Sequence, residues 1–131
     1  MKKISCLIIE TDQEAIRHID ILGRTMGSLD LRWKTNSLET GVAIIRKHLP
    51  EMAIVGLGQN PNASIEGISA LARDYPSLYI LALSDKSDSD LILRAMRAGA
   101  HDFLLLIEDF HQVLARSLGI HQRKPAHGLL F

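Results

Sequence analysis

The chain has 131 residues, a length that predicts one domain with enough hydrophobic core to fold without disulfides or bound metals. Hydrophobic residues make up 47% of the chain, which excludes a disordered protein. Its 15 Lys and Arg residues balance 15 Asp and Glu residues, so the formal net charge is zero. This balance argues against direct nucleic-acid binding or membrane binding through bulk charge.

The only cysteine, Cys6, lies inside an apolar run and is predicted to be a small buried hydrophobic residue. No disulfide can form within a chain that has one cysteine, so a reducing compartment is expected. Lys2 and Lys3 precede only a short apolar stretch, which is not typical of a signal peptide. No window reaches the roughly 18 apolar residues that a membrane span requires. These features predict a cytoplasmic protein without membrane insertion.

Apolar runs alternate with helical patterns along the chain. In chain order, the first predicted elements are a strand at Ile4–Ile9, a helix that begins within residues 10–14 and ends near Thr25, a weaker strand at Leu31–Thr35 that contains Trp33, a helix at Leu38–His48, and a strand at Met52–Val55. The acids of residues 10–14 suit a helix N-terminus, and Pro50 ends the second helix.

The same alternation continues through the second half. The predicted elements there are a helix from Ile65 to about Arg73 with Ser64 as its N-cap, a strand at Leu78–Leu83, a helix at Ser87–Ala98, a strand at Phe103–Ile107 and a helix at Asp109–Leu118. The strands are continuous apolar runs, as expected when helices cover both faces of a parallel sheet. The sequence therefore predicts an α/β fold, a doubly wound five-stranded parallel sheet flanked by five helices.

The last residues differ from the rest in composition. Residues 1–119 are predicted to form the domain, and residues 120–131 are predicted to be a linker followed by the start of a further domain. The linker prediction depends on the polar stretch that begins at His121, and the further domain depends on the apolar residues that follow His127.

The order and spacing of these motifs resemble the receiver domain of two-component response regulators over residues 4–119. The strongest match is Leu91–Leu104, which corresponds to the fourth helix, its Gly-Ala ending and the start of the fifth strand. The resemblance implies a CheY-like, flavodoxin-like sheet of strand order 2-1-3-4-5. It also implies that the first and fifth helices lie on one face and the other three helices on the opposite face.

Receivers use a set of side chains at the carboxyl ends of their strands. Two acids hold Mg²⁺, an Asp after strand three takes the phosphoryl group, and a hydroxyl and a Lys contact that group. An aromatic residue in strand five reports the change by switching rotamer. The resemblance assigns Glu10 and Asp12 to the acid pair with Thr11 between them, Ser84 to the hydroxyl position, and Phe103 to the aromatic position.

Two positions depart from the receiver pattern. Gly56 stands at the nucleophile position, where glycine cannot form an acyl phosphate. Leu106 stands at the Lys position, and Ile107 replaces the Pro that normally follows it. The prediction is an atypical, phosphorylation-independent receiver that is not an enzyme, has no cofactor, and serves as a protein-interaction, dimerisation or localisation module.

The resemblance also implies a partner surface and a context. Receivers commonly dimerise through helix four, strand five and helix five, so a protein partner or a homodimer is expected on that face. The predicted interaction residues are Arg94, Arg97, His101, Asp109, Gln112 and Arg116. The apolar end of the chain is similar to the CpaE/TadZ-like pilus-assembly family, in which a degenerate receiver precedes an ATPase domain.

Several alternatives stay open at this point. Glu10 and Asp12 are weak candidates for a metal, because two acids fall short of the roughly six ligands of a hard cation, and capping of the first helix is the favoured explanation of both. Ser84 is more typical of a cap than of an anion site. The loop after Gly56 has no Lys and does not match a phosphate loop. The scattered histidines do not indicate zinc.

Three alternatives concern function. One is a phosphorelay receiver that controls a DNA-binding or other output domain and accepts its phosphoryl group elsewhere, on Asp12. Another is a transcription regulator whose DNA-binding part lies downstream. A third is a ligand-binding domain that holds a flavin at the strand ends, by analogy of fold alone.

Overall fold

The described residues of this computed structural model are 3–58, 60–106, 116, 118 and 119. The strands are β1 (Ile4–Ile9), β2 (Leu29–Thr35), β3 (Met52–Gly56), β4 (Tyr79–Ser84) and β5 (Asp102–Leu105). The helices bounded within these residues are α1 (Gln13–Met26), α2 (Leu38–His48), α3 (Pro61–Asp74) and α4 (Ser89–Ala98). No helix in this part of the chain has the length and apolar character to cross a membrane.

The five strands form one parallel sheet in the order β2-β1-β3-β4-β5, which confirms the predicted α/β doubly wound fold. β1 and β3 are neighbours in the sheet, with Ile8 opposite Ile54 and Ile9 opposite Val55. Because all strands are parallel, their carboxyl ends lie at one edge of the sheet, where doubly wound folds bind ligands.

Two hydrophobic cores cover the two faces of the sheet. On one face, Ile8 and Ile54 pack with Ile19 of α1 and with Leu118. On the other face, Leu7 of β1 packs in a cluster that includes the buried side chains Ile45 of α2, Ile68 of α3 and Leu91 of α4. The continuous apolar strands are explained by this burial on both sides, and the predicted division of the first four helices between the faces is confirmed.

The start of α3 differs from the prediction. Ser64 was the expected N-cap, but Asn60 caps the helix, and its Oδ1 accepts a hydrogen bond from the Ala63 N–H at 3.3 Å. Pro61 is the first helical residue, a position where its fixed φ and missing N–H cost nothing. Ser64 instead donates through Oγ to the Leu57 carbonyl at 3.4 Å.

Smaller differences concern the ends of strands and helices. β2 begins two residues earlier than predicted because Leu29 and Asp30 pair with β1 despite the polar side chain of Asp30. β3 extends to Gly56, and β4 and β5 each shift by one or more residues. α4 begins at Ser89 because the Asp88 carboxylate accepts from the Asp90 N–H at 3.0 Å.

The predicted fifth helix, Asp109–Leu118, lies mostly outside the described residues, and so does the predicted tail after residue 119. Arg116, Leu118 and Gly119 are helical, and Leu118 is buried against the α1 face.

Two packing predictions are confirmed. Cys6 is fully buried, and its burial raises the pKa of the thiol well above its ordinary value. Trp33 stacks on His48 with 5.0 Å between ring centroids, and the Arg32 guanidinium lies 5.4 Å from the Trp33 ring centroid.

Two glycines with positive φ provide a test of the packing between α3 and α4. Gly27 has a φ of 72° and open space around a hypothetical Cβ, whereas Gly99 has a φ of 125° and a Cβ there would lie 2.5 Å from Ala72 Cβ. Gly27→Ala should lower the free energy of unfolding by about 1–2 kcal/mol, the cost of a left-handed L-residue. Gly99→Ala should lower the free energy of unfolding by more than Gly27→Ala does, because the overlap with Ala72 adds to the backbone strain.

Urea unfolding of both variants measures this difference. Ala72→Gly in the Gly99→Ala background should recover part of the loss, since it removes the overlapping methyl group. Equal costs for the two single variants would contradict the close approach of α3 and α4.

Candidate functional site

The candidate site lies at the carboxyl edge of the sheet, where β1, β3 and β4 end. Glu10 follows β1, Gly56 ends β3, Ser84 ends β4, and Leu106 follows β5. The structure therefore brings together the positions that the resemblance assigned to a receiver's phosphorylation site. Most of the residues that line this edge are uncharged. Glu10 is buried, with 9% of its surface exposed.

Glu10 and Asp12 form a chain of hydrogen bonds that starts α1. Glu10 Oε2 accepts from the Asp12 N–H at 2.8 Å. Asp12 is the N-cap of α1, and its Oδ1 accepts from the Glu14 N–H at 3.0 Å. Both acids thus satisfy backbone donors that the helix start would leave unpaired, as the capping interpretation predicts.

The Glu10 carboxyl group lies directly over Gly56. A Cβ built on Gly56 would coincide with Glu10 Oε1, and it would lie 2.8 Å from Glu10 Cδ and 3.2 Å from the Ile9 carbonyl oxygen. Any side chain at position 56 therefore requires Glu10 to move. The space where an aspartate side chain would begin is filled by a carboxyl group from the neighbouring strand.

The pKa of Glu10 is raised above its ordinary value. Burial of the carboxyl group is the largest cause, because low polarity disfavours the charged form. The Asp12 N–H acts in the opposite direction, and the negative charges of Asp12 and Asp85 raise the pKa further. No Lys or Arg among the described residues forms an ion pair with Glu10, so this charge has no local counter-charge.

The acidic side of the edge is an open cavity of about 480 Å³. Asp12, Ser84, Asp85, Lys86 and Leu106 contribute to its wall. Ser84 Oγ accepts from the Lys86 N–H at 3.0 Å, so this hydroxyl caps the strand end, as the structural interpretation of Ser84 predicts. Leu106 packs against the core on the α1 face.

The geometry gives little support for a metal. No group of three or more His, Cys, Asp or Glu side chains within residues 3–58 and 60–106 is placed to hold a metal ion. Glu10 and Asp12 form the predicted acid pair, and each already accepts a hydrogen bond from a backbone N–H.

Phe103, the aromatic position of the resemblance, is buried at 7% exposure. It packs in the core on the face of α2, α3 and α4.

The predicted interaction residues of α4 lie on the surface and make few contacts. Arg94 is exposed and donates a hydrogen bond to Asn62 of α3, and its Nη1 lies 4.0 Å from Asp90 Oδ2. Arg97 is exposed and forms no ion pair within the described part of the chain.

The other interaction residues have structural partners or are not described. His101 accepts a hydrogen bond at Nδ1 from the Ile80 N–H at 3.0 Å and stacks on Tyr79. Arg116 forms an ion pair with Asp102 at 2.8 Å. Asp109 and Gln112 lie outside the described residues. The use of this face for partner contact stays a prediction.

Sequence reasoning did not find a second cavity on the other side of Glu10. It has a volume of about 360 Å³ and lies between the ends of β1 and β3 and the starts of α2 and α3. Asn36, Asn60 and Ser64 contribute polar atoms to its wall. The signal in the sequence is the cluster of Gly and Asn after β3, which does not match a phosphate loop.

The raised pKa of Glu10 predicts a pH dependence of stability. Below the ordinary Glu pKa of about 4.5 the carboxyl is neutral in the folded and unfolded chains, so burial costs little. As the pH rises from there through the higher pKa of the folded state, the unfolded chain ionises first, and the contribution of Glu10 to stability is lost. Glu10→Gln should therefore match the parent at low pH and become more stable as the pH rises.

Thermal or urea unfolding from pH 4 to pH 8 measures this difference. The gain should be about 1.4 kcal/mol for each pH unit by which the fold raises the pKa. Glu66→Gln is the matched control, because Glu66 is exposed on α3. A constant difference between Glu10→Gln and the parent across the pH range would contradict the buried, uncompensated carboxyl.

Comparison with protein-family models finds no match, and comparison with curated proteins finds none either. Solved structures are similar in fold. A protein from Burkholderia pseudomallei described as pilus assembly-related has a TM-score of 0.75 and 21% identity, covering 88% of this chain and 90% of its own. A response regulator from Thermotoga maritima has a TM-score of 0.79 and 17% identity, covering 92% and 99%.

The isolated receiver domain of RcsB from Salmonella enterica serovar Typhimurium has a TM-score of 0.76 and 15% identity, and the match covers 87% of each chain. The strand order 2-1-3-4-5 of this chain matches that of the CheY-like receiver fold. At such low identities the likeness concerns architecture, and this chain has the CheY-like fold of response-regulator receiver domains.

Proposed function

We propose that this chain is a degenerate receiver domain that binds a protein partner, or a second copy of itself, without phosphoryl transfer. The observation that carries the proposal is the Glu10 carboxyl group over Gly56. In a working receiver the residue at this position attacks the phosphorus atom. Here it has no side chain, and the space above it is filled.

The rest of the edge supports the same conclusion. Phosphoryl transfer to a carboxylate needs a divalent cation and a nearby positive charge, because both neutralise the phosphoryl oxygens. Leu106 at the Lys position has no charge, and Glu10 and Asp12 already accept backbone hydrogen bonds. The edge thus lacks the nucleophile and most of the electrophilic groups.

The surface of α4 is consistent with partner binding. Leu93 and Met96 are exposed at 47% and 38%, beside Arg94 and Arg97. Exposed apolar side chains next to Arg are typical of the centre of a protein interface. The proposed contact is the α4–β5 face together with the residues that follow β5.

A pilus-assembly context belongs to the same proposal. It is supported by the apolar end of the chain and by the similarity in fold to the Burkholderia pseudomallei protein described as pilus assembly-related. In that context the domain would localise or dimerise a larger protein that carries an ATPase domain.

A phosphorelay receiver is the second candidate, because Asp12, Ser84 and Lys86 share one open cavity. Asp12 would then be the acceptor. Incubation with acetyl phosphate and Mg²⁺, followed by intact-protein mass spectrometry, separates the two candidates. We expect no phosphoryl adduct on the parent chain, since Asp12 is engaged as an N-cap. An adduct that disappears in Asp12→Ala would overturn the proposal.

Engineered acceptors sharpen this test. Gly56→Asp alone should gain no adduct and should be destabilised by about 1–3 kcal/mol, because its side chain meets the Glu10 carboxyl group. Glu10→Asp in that background shortens the obstructing side chain and should restore stability. A functional response regulator treated in parallel shows that the donor is active.

Self-association through α4 can be measured by sedimentation equilibrium. Leu93→Asp or Arg97→Glu should raise the dimer dissociation constant at least about tenfold, as expected for residues near an interface centre. Arg32→Glu on the exposed edge strand β2 is the control and should leave the constant unchanged. A chain that stays monomeric at all concentrations would contradict the homodimer, and an equal effect of Arg32→Glu would place the contact elsewhere.

A further inference from the structure

The cavity of about 360 Å³ lies at the topological switch point of the sheet. In the order β2-β1-β3-β4-β5 the segments that follow β1 and β3 lead to helices on opposite faces of the sheet, α1 on one face and α3 on the other. Open α/β sheets bind ligands in this crevice. The volume is near the lower end of the range for small-ligand sites.

The walls of the cavity are mainly apolar, and Glu10 is its one charged residue among those the structure describes. Ile9, Val55 and Leu57 contribute apolar surface. Glu10 Oε2 is bonded to the Asp12 N–H on the acidic side, whereas Oε1 lies over Gly56, which lines this cavity. The Thr11 N–H also bonds to the Glu10 carboxyl group, more weakly than the Asp12 N–H, so two backbone donors serve a group that is nine-tenths buried and can accept about four hydrogen bonds.

The polar groups around Glu10 do not favour an anion. Ser64 Oγ already donates its hydrogen to the Leu57 carbonyl, and the amide groups of Asn36 and Asn60 are neutral donors. Pro61 begins α3 without an N–H, so this helix start offers fewer donors than usual. An anion in the cavity would also face the charge of Glu10. A cation would supply a further donor to the Glu10 carboxyl group.

We propose that this cavity binds a cationic nitrogen, a guanidinium or an ammonium, carried on a short apolar stem. The charged group donates to Glu10 Oε1, and the stem packs against Ile9, Val55 and Leu57. Such a group is present in free amines and guanidines and in the basic side chains of proteins. The inference goes beyond the proposed function and does not depend on it, since the cavity and Glu10 are the same whether or not the chain accepts a phosphoryl group.

The electrostatics of Glu10 are consistent with a cationic ligand. Burial without a counter-charge raises the pKa of this carboxyl group, and a bound cation would lower the pKa again.

The first probe is n-butylguanidinium, and its neutral isostere n-butylurea is the matched control. Titration of the ¹⁵N-labelled chain, followed by ¹H–¹⁵N correlation spectra, should show saturable shifts at the amides of Gly56, Gly58 and Ala63. n-Butylurea should bind about tenfold more weakly, because a charge-assisted hydrogen bond is replaced by a neutral one. No saturable shift, or equal affinity of the two probes, would overturn the proposal.

Three variants locate the site. Glu10→Gln keeps the size of the side chain and should abolish the preference for the charged probe. Ala63→Phe should block the cavity while Glu10 stays in place, since Ala63 is an exposed residue of the first turn of α3. Glu66→Gln removes one exposed acid and should leave both affinities unchanged. The assignment would be refuted if Glu10→Gln retained the preference for the charged probe, or if Ala63→Phe bound that probe with unchanged affinity. The two variants test the site independently, so poor folding of one leaves the other as a test.

A second comparison distinguishes the two sources of the cation. The capped tripeptide Ala-Arg-Ala is compared with Ala-citrulline-Ala, in which the neutral citrulline has the shape of arginine. Tighter binding of the arginine peptide than of n-butylguanidinium indicates the side chain of a protein partner, and weaker binding indicates a free small molecule. Binding of the citrulline peptide as tight as that of the arginine peptide would contradict a cation site.

Discussion

The pairing of β1 with β3 determines the character of the whole carboxyl edge. Ile9 lies opposite Val55, so the next residues, Glu10 and Gly56, meet just where the two strands end. The carboxyl group then lies where a side chain at position 56 would begin. Because the same group accepts from the Asp12 N–H, the end of β3, the end of β1 and the start of α1 are held in one arrangement. Glycine at position 56 thus leaves the space that the Glu10 carboxyl group occupies.

Much of the fold could be predicted because burial on both sheet faces leaves a simple pattern. The apolar run of β1 and the amphipathic helix α2 have the predicted bounds. Errors occur where backbone bonding or capping decides the boundary. Asp30 joins β2 through its backbone although its side chain is polar, and Asn60 caps α3 four residues before the expected position. Neither effect changes the hydrophobic periodicity from which the elements were predicted.

The site could be predicted less completely than the fold. The positions of Gly56 and Leu106 follow from the predicted strands and from the family resemblance, since Gly56 ends β3 and Leu106 follows β5. That Glu10 fills the space over Gly56 depends on the direction of one side chain, which no sequence pattern records. The cavity at the switch point depends on Asn36, Asn60 and Ser64, which belong to different loops and helix starts and meet only after the sheet has formed.

Glu10 divides the edge into two sides with different chemistry. On the acidic side, Oε2 already accepts a backbone hydrogen bond, and Asp12 and Asp85 repel any added negative charge. On the other side, Oε1 lies over Gly56, which lines the mainly apolar cavity. A buried carboxylate gains most from a partner where its hydrogen bonding is incomplete, because the cost of removing it from water has already been met. In the proposed function, glycine at position 56 means that the nucleophile of a receiver is missing. The same glycine leaves room for the Glu10 carboxyl group beside the switch point, which is why the proposed ligand of this edge is a cation, whereas the resemblance predicts recognition of an anion.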